Sequence, residues 1–394
     1  MVKYDPAEVG GMLHIEGAYH NLLDVYGFSK MLKDPSYCYK FYWLEAIVQL
    51  IAEDRTSATY SEIIDEMIAN AWYSVVEFHI HLSGIFGDGE IKDSLERAVR
   101  KLHAYSGLPS NASKVEIKNA IRKYESELHD EKLTLTYNVP YKALSGFANR
   151  YGDPIDLNSS AGRMMEYYNR INQLETPLPY IFGSQKGLNR QLVFHDSWIK
   201  MIQDNMVSIL GWIQFEKVRW LQNNNPEVPG LVYKLAPLDE KLRKLKNVRE
   251  LWNGILDLRQ VDDIFKNQPI NKCAYDVDHF IPWSFVMNDE LWNLMPMDSS
   301  LNSSKSNRLP QWNDFFVRFA NNQYIMYELI HEKPGIRNLY EHCYRDNLHS
   351  IWASQELYRK GNSKEQFTTI LERNMRPVYD SAKRQGYEIW DVKF

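Results

Sequence analysis

The chain has three cysteines in 394 residues, Cys38, Cys273 and Cys343, which are too few, too scattered and odd in number for a disulfide framework. Their spacing also leaves no Cys-x-x-Cys zinc knuckle, and it fits a reducing compartment, so a cytoplasmic location is expected. Long apolar runs are missing too. Charge interrupts each one well before the ~18 residues a membrane helix requires, so no membrane partner is expected. The opening MVKYDPAEVGG has no apolar leader core. A basic excess is lacking as well: 46 Lys and Arg face 51 Asp and Glu, for a net charge of −5. Any nucleic-acid contact must therefore come from a local patch. No internal repeat or low-complexity stretch is visible.

The composition is otherwise ordinary for a globular chain, at 44% hydrophobic and 25% charged, with a high aromatic share of 13%. The length predicts more than one domain, each able to bury its own core. Residues 1–150 read as mostly helical. Helices are expected over Tyr37–Ala52, Ser61–Leu82, Lys92–Tyr105 and Ser113–Leu128, the last with Ser113 and Glu116 as a capping box. The aromatic stripe of this region is read as helical core rather than a base-stacking platform. His79 and His81 would point far apart on a helix and are not read as metal ligands. Leu133–Pro140, LTLTYNVP, alternates like a strand, and Leu178–Phe182 with Gln191–Phe194 suggests a short hairpin. Ser197–Gln222 reads as one strong helix, ended by NNNPEVPG at 223–230.

Polar chemistry concentrates in Asp276–Pro310, DVDHFIPWSFVMNDELWNLMPMDSSLNSSKSNRLP. Asp278 and His279 are adjacent, so on a strand their side chains leave opposite faces. Pro282 turns the chain, and LWNLMP carries one amide, Asn293. Ser299 and Ser300 offer N-cap hydroxyls for a weak helix over Leu301–Arg308. The outcome is strand, loop, strand and helix, with polar groups converging from three elements.

That arrangement suits phosphodiester hydrolysis, which needs a cation at the phosphate and a base for the attacking water. Asp278 and Asn302 are oxygen donors of the kind that suit Mg²⁺ or Mn²⁺. Histidines titrate near neutrality, which qualifies His279 as the base. Asn293 can hydrogen-bond the backbone beside His279. Lys305 shares a helix face with Asn302 and is expected to meet phosphate.

The stretch resembles the HNH, or ββα-metal, endonuclease family, and in particular the HNH domain of RNA-guided CRISPR effector nucleases. The matching pieces are D-V-D-H at 276–279, Asn293 14 residues after the histidine, Asn302 nine residues later, and N-x-x-K at 302–305. The resemblance implies that His279 is the general base, Asn293 the orienting residue, and Asp278 with Asn302 the single-metal pair. Asn302 stands where many members have a third-motif histidine. The zinc knuckles that flank many HNH cores are absent here. Double-stranded DNA is the implied substrate, and restriction or anti-phage defence the implied setting.

The expected fold is therefore mainly α with a small ββα-metal core, in several domains. These are a helical N-terminal domain over 1–230 that senses a signal or binds a partner, a nuclease domain over 231–310, and a helical C-terminal region over 311–394. Leu238–Leu258 is expected to be a basic amphipathic helix whose Lys241, Lys244 and Lys246 contact DNA, joined by Lys305 and Arg308. From Lys305 onward 14 Lys and Arg face 11 Asp and Glu, a mild local excess on the same side. Two alternatives stand beside the free-standing enzyme: a nuclease subunit silent until a partner or signal arrives, and a nucleic-acid-binding HNH protein that no longer cuts. Oligomeric state has no signature in the sequence.

Overall fold

The computed structural model describes residues 13–33, 35–84, 91–151, 154–173, 177–235 and 243–392. The chain divides into two compact units, Met1–Pro226 with Lys234–Ala236, and Glu227–Tyr233 with Pro237–Phe394. Residues 237–310 and 311–394 thus share one unit.

The first unit is helical around one small sheet. Its first helices are α1 (Val25–Ser29), α2 (Tyr39–Ala52), α3 (Tyr60–Val76), α4 (Ser94–Ser106), α5 (Lys114–Lys123) and α6 (Glu125–Thr136). After these come α7 (Val139–Lys142), α8 (Ala161–Ile171), α9 (Asp196–Asp204) and α10 (Met206–Asn224). Tyr42, Trp43 and Trp72 are fully buried, so the aromatic stripe is core. The capping box of Ser113 and Glu116 opens α5, and Thr59 with Glu62 forms a second one at α3. The expected hairpin is present as β2 (Tyr180–Phe182) against β3 (Gln191–Phe194), and β1 (Ser57–Thr59) adds to the free edge of β3.

Three expectations change in this unit. LTLTYNVP is not a strand. Leu128, Lys132, Leu135 and Thr136 bury one helical face of α6, a period the local alternation conceals. Pro140 then sits in the first turn of α7, where a missing N–H costs nothing. The long helix over Ser197–Gln222 is two helices, parted at Asn205, whose Nδ2 donates to the Met201 carbonyl at 2.9 Å and competes with the helical ladder. The helix expected to reach Leu82 ends at Val76, and His79 takes the left-handed conformation with φ of 54°. His81 Nδ1 lies 2.9 Å from Glu96 rather than facing a cation, and burial drives His79 down to about 4.

The second unit wraps helices around a two-stranded ribbon. Helix α11 (Lys246–Leu256) precedes strand β4 (Tyr275–His279), the single-turn helix α12 (Trp283–Val286), strand β5 (Leu294–Asp298) and helix α13 (Ser299–Lys305). Strand β6 (Leu309–Pro310), the helices α14 (Trp312–Glu332), α15 (Pro334–Asn347) and α16 (Lys364–Arg384), and strand β7 (Ile389–Trp390) complete it, with β7 parallel to β6. The expected basic helix is shorter than Leu238–Leu258: it starts at Lys246, residues 243–245 are not helical, and Lys241 lies outside the described residues. Gly254 permits close packing of α11 on α15, since a Cβ there would meet Leu339 at 2.8 Å and Ile336 at 3.0 Å. Strands β4 and β5 pair antiparallel, with Asp278 opposite Met295 and His279 opposite Leu294. Pro296 is tolerated opposite Val277 because a two-stranded ribbon has only edges. Trp252, Phe280, Leu294, Met295 and Phe319 are fully buried, each contributing ~1.5–3 kcal/mol.

Candidate active site

Strand β4 alternates strictly: Tyr275, Val277 and His279 are buried, and Asp276 and Asp278 are half-buried on the other face. Helix α13 covers that second face. Asn302 Nδ2 donates to Asp276 Oδ2 at 3.3 Å, and Lys305 Nζ lies 2.9 Å from Asp278 Oδ2. The match is geometric. Residues i and i+3 rise about 4.5 Å on a helix and i and i+2 about 6.7 Å on a strand, so each helical side chain meets one carboxylate. Asp276 had no assigned role in the sequence, although its spacing from Asp278 already put the two on one face.

Helix α13 spans Ser299–Lys305 rather than Leu301–Arg308, and its N-cap is Asp298, not a serine. The Asp298 side chain accepts from the Ser300 amide at 2.9 Å and pairs with Lys266 at 2.8 Å. The helix stops where Ser306 takes a φ of 47°. Arg308 folds back there, donating to the carbonyls of Ser304 and Lys305, which makes it a C-terminal cap.

Lys305 differs most from its expected role. It is fully buried, and its ammonium also donates to the His279 carbonyl at 2.8 Å. It ties α13 to the end of β4 and does not reach outward toward a phosphate. A buried ammonium needs such partners, because leaving it alone would cost several kcal/mol.

His279 sits against the loop between the strands. Its Nε2 lies 3.2 Å from the Asn288 carbonyl and 3.1 Å from Asp289 Oδ1. A carbonyl can only accept, so Nε2 carries a proton, and Nδ1 is the nitrogen that holds the lone pair whenever the ring is neutral. Burial alone would raise the Asp289 carboxyl, but the hydrogen bond and charge of His279, the Lys244 amide and nearby Arg243 outweigh it and hold the pKa below the ordinary value. Asp289 is a functional candidate the sequence reading missed. It lies in an irregular loop, where no period announces a contact.

Asn293 is fully buried and clamps one residue: Oδ1 accepts from the Ile281 amide and Nδ2 donates to the Ile281 carbonyl, both at 2.8 Å. It holds the backbone just beyond His279 rather than the ring. Arg249 of α11 donates to the Tyr275 carbonyl at 2.9 Å and stands 3.5 Å from Asp276. Further along the basic stretch, Lys244 is exposed and paired with Asp346 at 2.7 Å, and Lys246 is 88% exposed beside Glu250.

The donors around Asp278 are of the right chemistry for a hard divalent cation. Asp278 Oδ2 is buried, with the Lys305 ammonium nearby but no hydrogen bond of good geometry. With Nδ2 turned to Asp276, the Asn302 carbonyl oxygen is the free end of that amide. Among the described residues no three His, Cys, Asp or Glu side chains form a metal-holding group. The structure pairs Asn302 with Asp276 and Lys305 with Asp278, so Asp278 and the Asn302 amide oxygen are the oxygen donors on this face, and Mg²⁺ commonly completes so few protein oxygens with water.

Residues 262–311, which contain both strands and α13, match the family model of HNH endonucleases. No curated protein and no solved structure matches the chain. Nuclease activity is thus the general assignment for this segment, and among the described residues no helix is long and apolar enough to cross a membrane.

Proposed function

We propose that the second unit is a ββα-metal endonuclease that hydrolyses phosphodiester bonds in DNA, with His279 as general base. The observation that carries this reading is the seating of His279 Nε2 on the Asn288 carbonyl, which leaves Nδ1 as the proton-accepting nitrogen. Asp289 at 3.1 Å balances the charge the ring acquires when it takes the proton from water. Asn293 fixes the backbone after His279, and Lys305 positions Asp278 through their ion pair. Asp278 and Asn302 would hold Mg²⁺ or Mn²⁺, which when bound supplies positive charge against the negative charge developing on the phosphate.

Double-stranded DNA is the favoured substrate on the strength of the family resemblance, with exposed Lys244 and Lys246 available for backbone phosphates. The large helical unit joined to the nuclease segment suits a restriction or anti-phage enzyme governed by a signal or partner. The test is incubation of the purified full chain with supercoiled plasmid and Mg²⁺. Nicking that stops in EDTA is expected. No cleavage with Mg²⁺ or Mn²⁺, or undiminished cleavage in EDTA, would overturn the reading.

A further inference from the structure

Asn347 closes α15, lies outside residues 262–311, and is fully buried in the second unit. Its Nδ2 donates twice, to the Asp289 carbonyl and to the Lys244 carbonyl, each at 2.9 Å. Both acceptors are carbonyls, so the amide nitrogen has to face them. The other end of the amide, Oδ1, is buried with no hydrogen-bond partner among the described residues. A leucine of similar size would bury no such oxygen, so packing alone does not account for an asparagine here.

The two residues that Asn347 ties are themselves joined. The Lys244 amide donates to Asp289 Oδ2 at 2.7 Å, and Asp289 Oδ1 lies 3.1 Å from His279 Nε2. One bond of Asn347 therefore sets the Asp289 backbone, and the other sets the residue whose amide grips the Asp289 carboxylate. The neighbours of Asn347 support the same loop. Lys244 Nζ pairs with Asp346 at 2.7 Å, and the Glu290 carboxylate accepts from the amides of His349 and Ser350 at 2.8 and 3.3 Å. Asp289 belongs to no helix or strand, so the direction of its carboxylate depends on bonds of this kind.

We propose that Asn347 is a positioning residue of the nuclease site, which aims the Asp289 carboxylate at His279 through the backbones of Asp289 and Lys244. The proposal rests on the nuclease reading and extends that site to the end of α15, beyond the segment that matches the family.

The test is single-turnover nicking of supercoiled plasmid by the full chain, at saturating DNA and Mg²⁺. It compares wild type, Asn347→Leu, Asp289→Asn and the double variant, each checked by circular dichroism and plasmid binding. Asn347→Leu should lower the rate about tenfold or more, with plasmid affinity and Mg²⁺ dependence unchanged. In the Asp289→Asn background the same change should lower it less than about threefold, because the carboxylate it aims is gone. Should Asn347→Leu not fold, Asn347→Ser, which keeps one donor, makes the same comparison. Equal fold-losses in the two backgrounds, a folded Asn347→Leu with the wild-type rate, a loss that lies wholly in DNA affinity, or failure of both Asn347 variants to fold would each overturn the proposal and leave the nuclease reading standing. A wild-type chain that nicks no plasmid would overturn both.

Discussion

His279 and Asp289 form a buried pair, with Nε2 3.1 Å from Oδ1 and both side chains at most 3% exposed. The pair links the end of β4 to the loop that follows α12, and it makes the site's basic residue part of the fold. His279 is therefore a structural as well as a chemical element, and its variants must be read on both scales.

The Asp289 carboxyl is held below its ordinary pKa when folded. A depressed carboxylate contributes stability that is fully present above the unfolded value, near ~3.9, and is lost as pH falls through the folded one. Asp289→Asn should thus lower unfolding free energy at neutral pH, and the gap to wild type should close below about pH 4. Denaturant melts across pH 2–7 would show it, and a gap that is constant over that range would contradict the assignment.

Lys305→Met removes the buried ammonium from Asp278 and from the His279 carbonyl. Breaking a buried pair from one side typically costs ~3–5 kcal/mol, so a clear drop in Tm is expected. The salt dependence of DNA binding should not change, because the side chain does not reach the surface. A variant with native Tm and a flattened salt slope would restore Lys305 to a phosphate-contacting role.

The region around β4 was largely legible in advance, and the reason is periodicity. The alternation in Asp276–His279 sets two acids on one face and the histidine on the other, and a strand does the same in any fold. Asn293 and Asn302 sit at offsets that the second strand and the helix bring back to β4. What stayed hidden was set by tertiary contact. A lysine three residues after an asparagine reads as exposed until the helix proves to start at Ser299 and carry it inward. LTLTYNVP looks like a strand until Leu128 and Lys132 extend its buried face into a helical one. Asp289 had no pattern to reveal it.

The metal ligands are tested by titrating the cation. Asn302→Ala should raise the Mg²⁺ concentration needed for half-maximal nicking, because it removes one oxygen donor and leaves the carboxylate. Asp278→Ala should remove activity at any Mg²⁺ concentration. An absolute requirement for Zn²⁺, or Asn302→Ala with a wild-type Mg²⁺ dependence, would contradict the Asp278–Asn302 pair.

Neutralising Lys241, Lys244 and Lys246 together should weaken DNA binding and flatten its salt dependence, by ~0.9 in the log–log slope for each phosphate that is no longer neutralised. Lys246 is the most exposed of the described pair, and Lys244 is partly committed to Asp346, so Lys246→Ala should carry more of the change. Turnover at saturating DNA should be nearly unaffected. An unchanged slope would make the stretch a solvated surface.

The central claim is that His279 accepts the proton from the attacking water. The most direct measurement is the single-turnover nicking rate of His279→Ala at saturating DNA and Mg²⁺, on protein shown to be folded and to bind plasmid. The account predicts a fall of ~10²–10⁴-fold with DNA affinity kept. A folded His279→Ala protein that nicks at the wild-type rate would contradict it.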